Sequence, residues 1–245
     1  MDCSGTSVLF PYLSYPLLGA WRYVESLVPG VYGGLLATDP LDSDALPQIW
    51  KSFLPQNNFI VFGNPYMRQG LESGCLGPGV EVRKDFTLTL ELNRDYEALF
   101  RAFRKTYRQN LRRVHLDEVT IHLTTSLRDV GEYFRVYRDA LRRWGKRASG
   151  FYPARLFETM ATHQQMGQNI RLWIAKVEAE VVGGVWVFHH NEHAVYWHGA
   201  TLSQYLPKYI SHALVAAAIR DACDNGMQWF DFNPSGGHSG VELFK

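Results

Sequence analysis

Cysteine is scarce in this chain: there are three in 245 residues, Cys3, Cys75 and Cys223, far apart and never spaced as CxxC. That argues against a disulfide framework and a cysteine-based zinc site, and it fits a reducing, cytoplasmic setting. Long apolar runs are also missing. No stretch approaches the roughly 20 consecutive apolar residues that a membrane span requires. The apolar segment 8–21 is interrupted by Pro11 and Pro16, has no basic segment before it and no small-residue cleavage pattern after it, so it does not read as a signal peptide. An excess of one charge is absent too. With 25 Lys and Arg against 24 Asp and Glu, the whole chain has no strong pull toward nucleic acid or anionic membrane, and any charge argument must be local. What remains is a composition that is 46% hydrophobic and 20% charged, enough to bury a core without metal or disulfide support.

Residues 1–80 are rich in glycine and proline and read as strands and loops, with short apolar runs at 33–37 and 58–62 and one helix around 44–54. The segment 86–92 alternates apolar and polar residues, which predicts a half-buried strand. From 94 to 114 the period changes. Tyr96, Leu99, Phe100, Phe103, Tyr107 and Leu111 recur at helical spacing, with Arg101, Arg104, Lys105, Arg108 and Arg112 between them, predicting one helix with a basic outer face. A short strand at 119–123 follows. Ser126, with Asp129 three residues on, caps a helix that Gly145 stops, and a third helix starts at Pro153.

The second half is the more legible. Segments 170–176, 181–189 and 194–201 read as a three-stranded meander with turns at 178–180 and 191–193. Pro207 suits the first turn of a helix carrying Ile210, Leu214, Ala217, Ala218 and Ala222 on its apolar face, Asn225-Gly226 ends it, and a strand follows at 228–232. Strict alternation along 196–198 would put Tyr196 and His198 on one face and Trp197 on the other. The expected class is α/β with a mixed sheet. His189, His190, His193 and His198 straddle a turn without a completing ligand pair, so no metal site is expected.

Several patterns stand in a definite order: Tyr32-Gly33-Gly34, the run Tyr107-Arg108-Gln109-Asn110-Leu111-Arg112-Arg113, Tyr196, and the C-terminal run from Asp231 through Asn233 and a glycine-rich loop to Phe244-Lys245. In these the chain resembles the FemAB-like branch of the GNAT acyltransferase superfamily, which includes the aminoacyltransferases that build peptidoglycan cross-bridges. The resemblance implies a GNAT fold in two subdomains, an incomplete one at 1–123 and a catalytic one at 124–245, with transfer of an acyl or aminoacyl group to an amine of a small molecule or a cell-wall or polysaccharide precursor. It implies a catalytic role for Lys245 and an acceptor contact for Tyr196. From the residues themselves, the Lys245 ammonium suits the developing oxyanion, and Asp231 at its strand end would accept the amine proton or orient Lys245. His198, Asn233 and Phe244 are further candidate substrate contacts, and Gln204 and Lys208 lead a helix N-terminus suited to the donor's phosphates. Family members continue beyond Phe-Lys, so a domain truncated at its C-terminus is expected. No tightly bound cofactor is implied. The segment 204–210 lacks the glycines of the usual phosphate cradle, which leaves acyl-CoA and aminoacyl-tRNA both open as donors and tRNA as a candidate partner. A non-catalytic remnant that binds nucleic acid or another ligand is the alternative, suggested by the basic face of 101–113.

Overall fold

A computed structural model describes residues 2–3, 5–16, 22–26, 31–41, 44–53, 58–60, 86–92, 95–114, 118–145 and 151–234. The chain divides into two compact units, one of residues 1–86 with Pro234 and the other Thr87–Asn233. In the first, β1 (Asp2–Cys3), β2 (Thr6–Leu9) and β5 (Leu36–Ala37) form an antiparallel sheet in the order β1-β2-β5. There β3 (Leu13–Pro16) pairs antiparallel with β4 (Arg22–Glu25), which pairs parallel with β6 (Asn58–Ile60). The helix α1 (Leu46–Phe53) buries Leu46, Ile49 and Trp50, at helical spacing, against Phe10, Leu35 and Leu41.

The second unit is built on a six-stranded sheet in the order β7-β12-β11-β10-β9-β8. Its strands are β7 (Thr89–Glu91), β8 (Val119–Thr124), β9 (Ile170–Val177), β10 (Glu180–His190), β11 (His193–Thr201) and β12 (Trp229–Asp231). The pairs from β8 to β11 are antiparallel, β11 and β12 are parallel, and β12 is antiparallel to β7. Both edge strands precede residue 125 in sequence, and the second unit begins at Thr87.

Adjacent residues of β10 show what covers the two faces, because successive side chains of a strand point oppositely. Gly184 lies under the ring of Tyr133, from α4 (Leu127–Trp144), whereas Gly183 lies under Leu214, from α6 (Ile210–Asp224). The α4 face is shared with α5 (Ala154–Thr162). Ser126 caps α4 by accepting from the Asp129 N–H, and Gly145 ends it at φ 55°, where a side chain would be strained. Its buried stripe of Val130, Tyr133, Val136, Tyr137 and Ala140 meets the sheet. Asp129 is anchored by Lys176 of β9 at 2.7 Å and by the Thr124 hydroxyl at 2.8 Å. Unlike α4, α6 is buried on most sides. The segment 94–114 packs on it as two helices, α2 (Tyr96–Ala102) and α3 (Lys105–Arg112), not as the single helix its periodicity suggests. Phe103 and Arg104 are extended between them, which lets the Phe103 ring pack edge-on against both Tyr96 and Tyr107. Arg220 joins α6 to α2 through Glu97 at 2.8 Å and the Tyr96 ring.

Between α4, α5 and the sheet lies an aromatic cluster with His198 at its centre. Tyr137, Tyr152 and Tyr133 present edges to the imidazole at centroid distances of 4.7, 5.6 and 5.9 Å, and the Tyr133 hydroxyl hydrogen-bonds Nδ1. Burial pushes the His198 pKa down to about 3 and the Tyr133 hydroxyl well above its usual value, so both are neutral in the folded protein. His189 is pushed down to about 4, by burial and then by Arg171, which is bound to Asp221 at 2.8 Å.

Two stability measurements follow from this packing. A Cβ at Gly184 would stand 2.6 Å from Tyr133 Cδ2 and 3.1 Å from the Trp173 carbonyl oxygen, so Gly184→Ala should lower the unfolding free energy in urea by about 1–3 kcal/mol. For His198, a folded pKa below the unfolded value means stability is intact above about pH 6.5 and is lost as pH falls toward about 3. Each such proton contributes a slope of about 1.4 kcal/mol per pH unit in that window, and His198→Phe should remove one of these contributions from a series of unfolding curves at pH 4 to 7.

Candidate functional site

Strands β11 and β12 start together and then part. Their parallel pairing runs through His193 with Trp229, Ala194 with Phe230 and Val195 with Asp231, and stops there, although β11 continues to Thr201. Past Asp231 the chain stays with its other neighbour, since the Phe232 N–H donates to the Leu88 carbonyl. Asn233 stands at the fork. It adopts the left-handed conformation at φ 61°, and its Nδ2 donates to the Tyr196 carbonyl at 3.0 Å. Asp231 holds this turn: Oδ1 accepts from the Asn233 N–H at 2.7 Å and from the Thr87 hydroxyl at 2.6 Å, and the residue is fully buried. The carboxylate therefore acts as the cap of a strand-end turn.

Opposite the fork β11 is irregular. Val187 of β10 faces Tyr196 and Trp186 faces His198, leaving Trp197 as the extra residue of a bulge. A bulge turns two consecutive side chains to the same side. Trp197 and His198 accordingly both pack with Tyr152 and Phe157, overturning the alternation expected at 196–198. Tyr196 lies on the other face, its hydroxyl over Gly199, where a Cβ would stand 2.1 Å from the oxygen. Burial raises the Tyr196 pKa, so its hydroxyl stays protonated and able to donate.

The crossover from β11 to α6 forms the third side. Ser203–Lys208 is a 3-10 turn that contains Pro207, so the proline precedes α6 and does not occupy its first turn. Tyr209 supplies the left-handed residue at φ 56° just before the helix, a position where glycine is the unstrained choice. Gln204 and Lys208 are exposed on the turn, with the Lys208 ammonium 3.6 Å from Glu118 and over the Tyr205 ring. Arg113, just past α3, donates to the Tyr209 hydroxyl at 3.2 Å, and Tyr107 of α3 donates to the His212 carbonyl at 3.0 Å. The head of α6 thus has side-chain cations beside it, Lys208 and Arg113, where the glycine cradle is missing.

Of the residues singled out in the sequence, the structure brings Tyr196, Asn233 and Asp231 together at the fork and puts Gln204 and Lys208 on the turn before α6. His198 lies beneath the bulge. Phe244 and Lys245 fall outside the described residues. Two contributors were not anticipated: Tyr133, the hydrogen-bond partner of His198, and Arg113 as a contact of Tyr209. The partners are 65 and 96 residues apart, and only the arginine cluster of α3 pointed in that direction.

Among the described residues no helix is long and apolar enough to cross a membrane. The fold is similar to that of known proteins. The C-terminal domain of a putative lysylphosphatidylglycerol synthetase from Agrobacterium fabrum superposes with a TM-score of 0.58 at 13% identity, over 94% of this chain and 70% of that one. FemX superposes with a TM-score of 0.54 at 10% identity, over 64% of this chain; the match spans 56% of FemX. At such identities the likeness is one of fold. No curated protein matches the sequence. The model of the acetyltransferase (GNAT) domain, however, matches residues 101–245, more than half of the chain. The chain therefore belongs to the GNAT acetyltransferase family.

Proposed function

We propose that the protein is a cytoplasmic N-acyltransferase that moves the acyl group of an acyl-CoA to an amine of a cell-wall or polysaccharide precursor. The observation that carries this reading is the fork between β11 and β12, where the pairing stops at Val195 and Asp231 while β11 runs on. A strand edge left open by its neighbour is suited to an extended, amide-bearing chain, which can add to it by backbone hydrogen bonds; the pantetheine arm of coenzyme A has that chemistry. Its phosphates would then lie toward Gln204 and Lys208, with Arg113 as a third cationic or polar contact.

The reaction requires a neutral amine to attack the thioester carbonyl, an oxyanion to be stabilised, and the thiolate to leave while the nitrogen loses a proton. Lys245 is assigned to the oxyanion, where one donor is worth roughly a hundredfold or more in rate. Asp231 is assigned to setting the turn at Asn233 from which the chain proceeds toward Lys245. Tyr196 and Asn233 at the fork, with Phe244, are assigned to the acceptor, whereas His198, buried among Tyr133, Tyr137 and Tyr152 on the opposite face from Tyr196, is a core residue and not the substrate contact expected from the sequence. A second reading, with aminoacyl-tRNA as donor, is favoured by one observation. Among the described residues, Arg101, Arg104, Lys105, Arg108 and Arg112 have no carboxylate within ion-pair distance, and such a row suits a phosphodiester backbone.

Calorimetric titration with acetyl-CoA, and separately with a charged tRNA, tests the assignment. Acetyl-CoA should bind, and Lys208→Ala should weaken it about tenfold, the scale of one charge-assisted contact. Lys245→Met should leave binding intact while lowering the release of free thiol in the presence of amino-sugar and peptide amines by about a hundredfold. Binding of tRNA alone would transfer the assignment to the second reading, and binding of neither donor would sink both.

A further inference from the structure

The turn Ser203–Lys208 has no buried residue, and Ser203, Gln204, Leu206, Pro207 and Lys208 are exposed. A 3-10 turn has poorer hydrogen-bond geometry than an α-helix, so its position depends on what ties it down. The ties come from the last turns of α4. Asp139 Oδ2 accepts from both the Ser203 N–H at 2.8 Å and the Ser203 hydroxyl at 2.7 Å. Arg143 donates to the Ser203 hydroxyl at 2.9 Å and to the Thr201 carbonyl at 3.2 Å, and it lies 3.7 Å from Asp139. On the far side of the turn, the Thr201 hydroxyl bonds that of Ser211 in the first turn of α6 at 2.8 Å. The end of β11, the entry to the turn and the first turn of α6 are therefore joined in one polar network.

From this network we infer that Asp139 and Arg143 are positioning residues for the donor: they hold the Ser203–Lys208 turn so that Gln204 and Lys208 face a phosphate-bearing ligand. The side-chain and backbone bonds from Ser203 keep the Asp139 carboxyl below its usual pKa, so the clamp stays charged at neutral pH. The opposite side of α4 is fixed by burial of Tyr133, Tyr137 and Ala140, which makes the helix a rigid base for the clamp. The same helix holds His198 through Tyr133. One element thus sets both the bulge that precedes the acceptor side and the turn that meets the donor.

The inference rests on the donor reading above, and its test separates the two. In the full chain, Asp139→Ala should raise the acetyl-CoA dissociation constant about tenfold, since it removes two bonds to a charged acceptor. Asp139→Asn keeps an acceptor oxygen for Ser203 and should recover most of the loss. Ser203→Ala, which leaves α4 untouched, should weaken binding in the same direction. Hydrogen exchange of the amides from Ser203 to Ser211, measured without ligand, should accelerate in Asp139→Ala while those of β9 and β10 stay protected. Unchanged affinity in Asp139→Ala and Ser203→Ala would overturn the inference. If wild-type protein does not bind acetyl-CoA, the donor reading falls, and exchange decides the clamp: unchanged rates overturn it, and faster rates confined to the turn uphold it.

Discussion

The hydrogen bonding that β11 withholds from β12 governs the arrangement of the second unit. A parallel pair that continued to Thr201 would close the sheet and leave no edge for a ligand. Here it ends at Asp231, and three devices keep it from closing further. Asn233 takes a left-handed turn, Asp231 spends its carboxylate on that turn, and Phe232 stays with Leu88. None of these is a strong interaction alone. Together they give the N–H groups of Phe232 and Asn233 hydrogen-bond partners in the parted state.

The bulge at Trp197 is the counterpart on the other strand. It turns Trp197 and His198 into the aromatic cluster together, and so commits β11 to α4 and α5 over the length in which it has left β12. The cost is a buried imidazole, held neutral among rings and tied to a tyrosine. The opposite face of β11 meets α6 and carries Tyr196 over Gly199, where a Cβ would displace the tyrosine hydroxyl.

How much of this was legible depended on how local its cause is. The meander, the Ser126 cap, the Gly145 stop and the strand at Trp229–Asp231 are written in periodicity and turn residues, and the sequence yields them to within a residue or two. The break at Phe103 and Arg104 carries no glycine or proline, and only the ring packing of Phe103 on both sides explains it. The bulge was invisible for a similar reason, since Tyr196-Trp197-His198 alternates acceptably either way and its register is set by β10. The left-handed Tyr209 defeats the usual expectation of glycine. For the candidate site, Tyr196, Asn233, Asp231, Gln204 and Lys208 came from motif order, whereas Tyr133, Asp139 and Arg113 act through partners 64 to 96 residues distant, which no sequence window spans.

The edge strand β7 sets a condition on how the second unit forms. It lies at the start of the unit, yet its ladder partner is β12, and Thr87 bonds Asp231 at a separation of 144 positions in sequence. Closure of so long a loop is entropically costly and slow. On the ribosome, β7 emerges before the rest of this unit and waits, unpaired, while the β9 to β11 meander assembles from neighbours. Only when β12 arrives can the edge strand dock, so the fork is completed last, and a nascent chain carries an open strand edge until that moment.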